Sequence, residues 1–221
     1  MIPYNCAEDG GPIPVLVPGW NGSGTGHWQA IWRADHPRWG WVEQANWAEP
    51  RCGEWVNQLD ETVAACPGRV IIVAHSLGCV AFAHWASFAR ERVRQKVEGA
   101  FLVAPADVER EGAPPAVLPF APMPKCRIQV PTMLIASEND PCMAFQRARF
   151  FALRWNSQFV NAGQAGHINV ASGHGPWPGG MTLLGGFLRD LAAPCPEFTR
   201  KLRPAHFPAG AGGGGRGAGF R

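Results

Sequence analysis

The chain lacks long apolar runs, a large excess of one charge and a recognisable leader. No apolar stretch approaches the roughly 18 residues that a membrane-spanning helix needs. Residues 1–10 show no basic region followed by an apolar run, so we expect no secretory signal. The net charge of +3 is too small to indicate binding to nucleic acid or to an acidic membrane surface. We therefore expect neither nucleic acid nor membrane as a partner.

Closely spaced cysteines are also missing. The seven cysteines lie far apart, and none forms a Cys-x-x-Cys pair. An odd and dispersed set indicates reduced thiols, which predicts a cytoplasmic protein. His27, His167 and His174 do not have the spacing of zinc ligands, and we expect no bound metal.

The composition and the apolar pattern predict an α/β domain. A chain of 221 residues, 46% hydrophobic and 17% charged, can form a sizeable core. Apolar runs that alternate with segments of helical spacing predict a doubly wound, mainly parallel sheet with helices on both faces. The predicted strands are 14–17, 41–45, 70–73, 97–104, 132–136 and 157–160; the predicted helices begin at 27 and span 54–65, 77–90 and 143–155.

Two segments do not fit this alternation. Residues 105–130 carry six prolines and little periodicity, and we interpret them as a loop at the substrate rim. Residues 194–221 include an almost pure Gly and Ala stretch, which predicts a disordered tail. The predicted domain therefore spans residues 1–193.

The most informative motif follows the β-branched run at 70–73. Ala74-His75-Ser76-Leu77-Gly78 resembles the strand-turn-helix motif Gly-x-Ser-x-Gly, with Ala in place of the first Gly. Small residues are needed on both sides of the serine because the turn is crowded, and Ala is the smallest change from Gly. Ser76 could also be a simple helix N-cap, so the motif alone leaves a nucleophile and a cap as alternatives.

The positions of an acid and a base favour the nucleophile. Asp140 follows the strand at 132–136, and His167 follows the last predicted strand. The chain order Ser, Asp, His is that of α/β-hydrolases. A serine needs a base to remove its proton, and the histidine base needs a carboxylate that holds its tautomer. Ser76, Asp140 and His167 are therefore the predicted catalytic residues.

Other residues compete for the acid and the base. Asp107 and Glu138 are alternative acids, but Asp140 is favoured because it lies in the turn just past a strand end, before Pro141. His75 is next to Ser76 in a strand and is expected to point away from it.

The glycine-rich loop at 20–26 is the predicted oxyanion hole. It lacks the lysine of a P-loop, which argues against a nucleotide site. The backbone N–H groups of Trp20 and Leu77 are the candidate donors to a developing oxyanion. We also expect four side chains near the cleft to contact the substrate: His27, Trp28, His174 and Trp177.

Six stretches carry a resemblance to a known family. They are Val17-Pro18-Gly19-Trp20-Asn21, Gly26-His27-Trp28-Gln29, Ala74-His75-Ser76-Leu77-Gly78, and the segments 102–107, 136–141 and 165–178. Over about residues 13–193 the chain resembles the serine hydrolases related to retinoblastoma-binding protein nine and the bacterial YdeN-type proteins. The Ala74 variant of the turn is similar to that family's own form.

The resemblance implies a small α/β-hydrolase fold with a Ser-Asp-His triad and no cofactor. By motif position, the nucleophile falls on Ser76, the acid on Asp140 and the base on His167. The expected activity is hydrolysis of small esters, or of amides, through an acyl-enzyme. The alternative is an interaction module that keeps the fold with little turnover, whose protein partner the sequence does not identify.

Overall fold

The computed structural model describes residues 11–193, in which strands alternate with helices. The strands are β1 (Ile13–Val17), β2 (Gly40–Trp41), β3 (Val70–His75), β4 (Val97–Val103), β5 (Thr132–Ala136) and β6 (Gln158–Asn161). The helices are α1 (Trp28–Asp35), α2 (Cys52–Ala65), α3 (Leu77–Phe88), α4 (Glu91–Arg94), α5 (Phe145–Trp155) and α6 (Pro178–Ala192). Two 3₁₀ turns lie at Pro115–Phe120 and Val170–Ser172.

All six strands pair in parallel, in the order β2-β1-β3-β4-β5-β6. After β1 the chain adds β2 on one side, and it then returns to place β3 on the other side of β1. The strand order therefore reverses between β1 and β3. In open α/β sheets, ligands bind at the carboxyl ends of the strands at this point.

The central strand β3 is buried along its whole length and contributes to two cores. Val70, Ile72 and Ala74 face a core that includes residues of α2, α3 and α5. Ile71 and Val73 face a second core that includes residues of α1 and α6. This alternation is the consequence of the two-residue period of a strand. It confirms the predicted doubly wound sheet with helices on both faces.

Local signals set the ends of two helices. The His27 ring caps α1, because its Nδ1 accepts a hydrogen bond from the N–H of Gln29 at 3.2 Å. Helix α5 ends at Asn156, whose φ of 58° is the left-handed conformation that asparagine tolerates.

The outer strand and the proline-rich segment differ from the sequence expectation. The strand predicted at 41–45 is only Gly40–Trp41, because the chain turns away after Val42 donates its N–H to Leu16. Residues 105–130 are not simply a loop: Phe120 is buried against Trp55, and its carbonyl oxygen lies 2.8 Å from His84 Nε2. Their position at the substrate rim stays a prediction.

The sequence did not predict α6 (Pro178–Ala192). The predicted disorder of residues 194–221 lies outside the described residues. Among the helices of residues 11–193, none is both long and apolar enough to cross a membrane.

Candidate active site

Ser76 lies in a sharp turn between β3 and α3. Its φ and ψ are 55° and −123°, a conformation that L-residues rarely adopt and that costs of order 1–3 kcal/mol. Two backbone hydrogen bonds hold the turn: the Ser76 N–H donates to Val103 O, and Cys79 N–H donates to Ser76 O, both at 3.0 Å. Ser76 is partly exposed, so its hydroxyl can meet a substrate.

The crowding around this turn explains two of its small residues. A Cβ on Gly78 would lie 2.4 Å from Val17 O, and a Cβ on Gly19 would lie 2.7 Å from Ser76 Cβ. Both distances are below normal contact, so glycine is needed at position 78, two residues after the serine, and at position 19, in the loop after β1 that packs against the turn. Ala74 is fully buried in the core, and its methyl group is accommodated.

Ser76, His167 and Asp140 form a hydrogen-bonded line. Ser76 Oγ lies 2.8 Å from His167 Nε2, and His167 Nδ1 lies 2.9 Å from both Asp140 oxygens. A carboxylate only accepts, so Nδ1 carries a proton and neutral His167 keeps Nε2 free to accept the serine proton. The Asp140 side chain is 2% exposed, and the backbone N–H of Cys142 donates to its Oδ1.

The two alternative acids are occupied elsewhere. Asp107 pairs with Arg147, whose Nε lies 3.1 Å from Asp107 Oδ2. Glu138 accepts hydrogen bonds from Asn161 and Gln164 at 2.8 and 2.9 Å. Of the three carboxylates that the sequence allowed, Asp140 is the one brought to His167.

Opposing effects set the pKa of His167. Burial lowers the pKa, but the hydrogen bond and negative charge of Asp140, together with the nearby Cys142 side chain, outweigh burial and raise it to about 9. The imidazolium form of His167 is therefore stabilised, as a base that carries positive charge during catalysis requires.

Two backbone N–H groups belong to residues close to Ser76: Leu77 follows it in the chain, and Trp20 follows Gly19, at which a Cβ would lie 2.7 Å from Ser76 Cβ. Within residues 11–193, the N–H groups of Trp20 and Leu77 donate to no protein acceptor, whereas those of the neighbouring Asn21 and Gly22 are both used. Leu77 is the first residue of α3, where free N–H groups and the helix dipole favour an anion. The two N–H groups predicted as oxyanion donors are thus available.

Side chains that the sequence did not predict join the turn that holds Asp140 to the segment that precedes His167. Asn139 Oδ1 accepts from Gly166 N–H at 2.7 Å and from Ser137 Oγ at 2.8 Å. Ser137 Oγ in turn accepts from the N–H of Ala165 at 2.9 Å. These bonds fix the segment that precedes His167 against the turn that holds Asp140.

Gln29 is a second missed residue, and it joins the ends of β1 and β3. It is fully buried, and its Nε2 donates to Val17 O at 3.3 Å and Val73 O at 3.1 Å. Its Oε1 accepts from Ser23 Oγ, in the glycine-rich loop, at 2.8 Å. A polar residue near a helix start gives no sequence signal of this role, because its partners lie on distant strands.

Two of the four expected substrate contacts are enclosed side chains, and their contact with a substrate stays a prediction. Trp28 is 0% exposed and His27 is 5% exposed. The Trp28 indole donates to Ile168 O at 3.0 Å, next to His167. The Trp28 indole therefore helps to hold the segment around His167.

The other two expected contacts are only partly buried. The Trp177 ring stacks on the Trp32 ring, with 5.8 Å between the ring centroids. Gly180 leaves room for the Trp177 ring, because a Cβ at position 180 would lie 2.1 Å from it. His174 Nδ1 lies 3.2 Å from Ser172 Oγ. Their contact with a substrate stays a prediction.

His75 points away from Ser76, as expected, and reaches the back of the base. Its Nε2 lies 3.0 Å from the backbone oxygen of His167, so Nε2 carries the proton because a carbonyl oxygen only accepts. Burial, and then the nearby rings of His167 and His27, hold the pKa of His75 well below its usual range. His75 is therefore a neutral support of the His167 backbone.

The comparison with known families agrees with this geometry. A model described as serine hydrolase matches residues 14–186. The chain belongs to the serine hydrolase family. This confirms the family resemblance and the hydrolase class that the sequence motifs predicted.

Solved structures similar to this serine hydrolase have the same fold. A YdeN-like hydrolase from Pectobacterium atrosepticum is 35% identical with a TM-score of 0.71, over 81% of this chain and 91% of that chain. The ydeN gene product of B. subtilis is 18% identical with a TM-score of 0.64, over 80% and 99%. A thermophilic esterase from Thermogutta terrifontis is 15% identical with a TM-score of 0.59, over 82% and 90%. The last two show the fold alone, and no curated protein sequence matches the chain significantly.

Proposed function

We propose that this serine hydrolase cleaves small esters, or amides, through an acyl-enzyme on Ser76. The observation that carries the proposal is the continuous line from Ser76 Oγ to His167 at 2.8 Å and from His167 to Asp140 at 2.9 Å. A serine hydroxyl becomes a strong nucleophile only when a base removes its proton. This line supplies the base and the carboxylate that orients it.

In the first step, Ser76 Oγ attacks the carbonyl carbon while His167 Nε2 takes the hydroxyl proton. The imidazolium is stabilised by the Asp140 carboxylate at Nδ1. The oxygen of the tetrahedral intermediate accepts from the N–H groups of Trp20 and Leu77. His167 then returns the proton to the leaving alcohol or amine, and the acyl group stays on Ser76.

In the second step, water replaces the leaving group. His167 takes a proton from the water, which attacks the acyl carbon, and the proton then goes to Ser76 Oγ as the acid departs. The same N–H groups bind the second tetrahedral oxyanion. The cycle needs no group beyond the five residues already named.

The test is labelling by a fluorophosphonate probe, which traps a serine whose proton is being removed. We expect labelling of the wild type, none of Ser76→Ala, and labelling at least about 10³-fold slower for His167→Ala and Asp140→Asn. Glu138→Gln is the matched control, because it removes a carboxylate charge two residues from Asp140 without touching His167. Circular dichroism checks that each variant is folded.

The labelling results distinguish an active hydrolase from the alternative, an interaction module with the same fold. Fast labelling that persists in Glu138→Gln and is lost in Ser76→Ala supports the activated serine. A folded wild type that is not labelled would refute it and favour an interaction module with the hydrolase fold. For the substrate, a panel of p-nitrophenyl esters is compared with peptide substrates, and turnover confined to peptides would contradict ester hydrolysis.

A further inference from the structure

Cys142 brings a thiol to the acid and base of the proposed triad. A ring nitrogen of His167, an Asp140 carboxylate oxygen and Cys142 Sγ all lie within 4.8 Å of one another. The nitrogen that faces the carboxylate is Nδ1. One sulfur, one imidazole nitrogen and one carboxylate oxygen form a donor set that zinc accepts in proteins.

Two hydrogen bonds fix the backbone of Cys142, which carries the thiol. The N–H of Cys142 donates to Asp140 Oδ1 at 2.8 Å, and its carbonyl oxygen accepts from Asp107 N–H at 2.9 Å. Cys142 is partly exposed, whereas the side chains of Asp140 and His167 are 2% and 10% exposed. Cys142 is therefore the residue past which we expect a cation to enter the site.

We propose that Asp140, Cys142 and His167 form an inhibitory binding site for a thiophilic divalent cation of the zinc class. The inhibition rests on the proposed function, whereas the binding does not. Tetrahedral zinc holds its ligands at about 2.0–2.3 Å, so the ligands lie about 3.3–3.8 Å apart. Rotations that move these side chains by about 1 Å reach that spacing.

The charges and protons of the bound state balance. The Cys142 thiol loses its proton to solvent and the Asp140 carboxylate is already ionised, so two negative ligands neutralise the dication. His167 binds the ion through Nδ1, which gives up its proton to solvent, and the bound imidazole carries a single proton, on Nε2. A fourth ligand can be water from the open side.

This change of tautomer explains why the bound cation inhibits. With its proton on Nε2, His167 has no lone pair facing Ser76 and cannot accept the hydroxyl proton. The cation also replaces the hydrogen bond to Asp140 that orients the ring. Hard cations such as Mg²⁺ and Ca²⁺ prefer six or more oxygen ligands and are not expected to bind.

Binding is tested first with Co²⁺, which gives a charge-transfer absorption band when a thiolate is a ligand. The full chain is titrated as wild type, Cys142→Ser, Cys126→Ser and Ser76→Ala. Cys142→Ser keeps the backbone bonds and the other six cysteines. Cys126 is an exposed thiol elsewhere on the surface, and Ser76 is not a ligand, so these two variants are matched controls.

We expect the band in the wild type and in both controls, its absence from Cys142→Ser, and its displacement by Zn²⁺. A band that survives in Cys142→Ser would refute the proposal because another thiol would then hold the ion. The absence of any band in the wild type would refute it as well.

The second arm measures fluorophosphonate labelling as Zn²⁺ is added, each variant relative to its own rate in chelator. Half-inhibition should need at least tenfold more Zn²⁺ in Cys142→Ser than in the wild type or Cys126→Ser, and Mg²⁺ should have no effect. Equal sensitivity of Cys142→Ser would refute the site. A Cys142-dependent cobalt band in a chain that is never labelled would retain the site while the proposed function fails.

Discussion

Gly19 offers a sharp test of the oxyanion hole, because an added methyl group would push the Gly19-Trp20 segment away from the Ser76 turn while all three triad side chains are still present. In Gly19→Ala, the new Cβ would lie 2.7 Å from Ser76 Cβ and 3.1 Å from His75 O. Carbon atoms in normal contact lie about 3.5–4.0 Å apart. The Gly19-Trp20 segment therefore has to move back from the turn by about 0.8 Å or more.

A displacement of this size removes one donor from the hole. An oxyanion donor works at about 2.7–3.1 Å, and losing one costs about 2.7–4 kcal/mol, or about 10²–10³ in kcat. We expect Gly19→Ala to show that loss with little change in KM, since the N–H of Trp20 acts mainly on the transition state. Gly24→Ala is the matched control, because a Cβ at Gly24, in the same loop, would meet nothing within 4 Å.

The assay is kcat and KM for an ester substrate in parallel with fluorophosphonate labelling, with thermal unfolding as the check on folding. The reasoning is refuted if folded Gly19→Ala keeps the wild-type kcat. It is refuted equally if Gly24→Ala loses as much activity, because the loop as a whole would then be intolerant of substitution.

Three further predictions concern stability and pH. In urea denaturation, the free energy of unfolding of Ser76→Gly should exceed that of Ser76→Ala by about 1 kcal/mol. Glycine relieves about 1–3 kcal/mol of backbone strain, which exceeds its entropic cost of about 0.5–1 kcal/mol. Equal stabilities of the two variants would contradict this. Burial lowers the pKa of His167, but Asp140 and Cys142 raise it to about 9, so wild-type kcat/KM in chelator should rise about tenfold per pH unit up to that pKa. In Asp140→Asn that limb should move to lower pH, whereas an unmoved limb would exclude His167 as its origin. Gln29→Leu should lower the free energy of unfolding by about 2–4 kcal/mol, because two buried carbonyls lose a donor; a loss below about 1 kcal/mol would contradict this.

The turn at Ser76 could be predicted from sequence because its signal is local. Its partners Asp140 and His167 could be predicted because of their order along the chain. The β-branched run 70–73 and the small residues around Ser76 mark a strand that ends in a tight turn. Asp140 and His167 each follow a strand, and parallel strands bring their carboxyl ends to one edge of a sheet. Chain order therefore specified which side chains meet, and the position of Asp140 in the turn before Pro141 favoured it over Asp107.

The features that could not be predicted from sequence, such as the role of Gln29, depend on contacts with residues distant in the chain. Gln29 resembles any exposed helix residue until β1 and β3 enclose it. Helix α6 is obscured by glycines such as Gly180, whose purpose is the space for the Trp177 ring. From the sequence we expected Trp28 to contact the substrate, but its indole is buried against the segment after His167.

The bond from the Trp28 indole to Ile168 has a consequence for the order of folding. It joins residues 140 positions apart, and the bond between His167 and Ser76 spans 91. Contacts of such separation close large loops and form late. Much of the sheet can assemble while the chain still lacks a reactive serine. During synthesis, no ribosome-bound fragment that stops before residue 167 can carry an active nucleophile, so the emerging chain is inert until the segment after its last strand has been made.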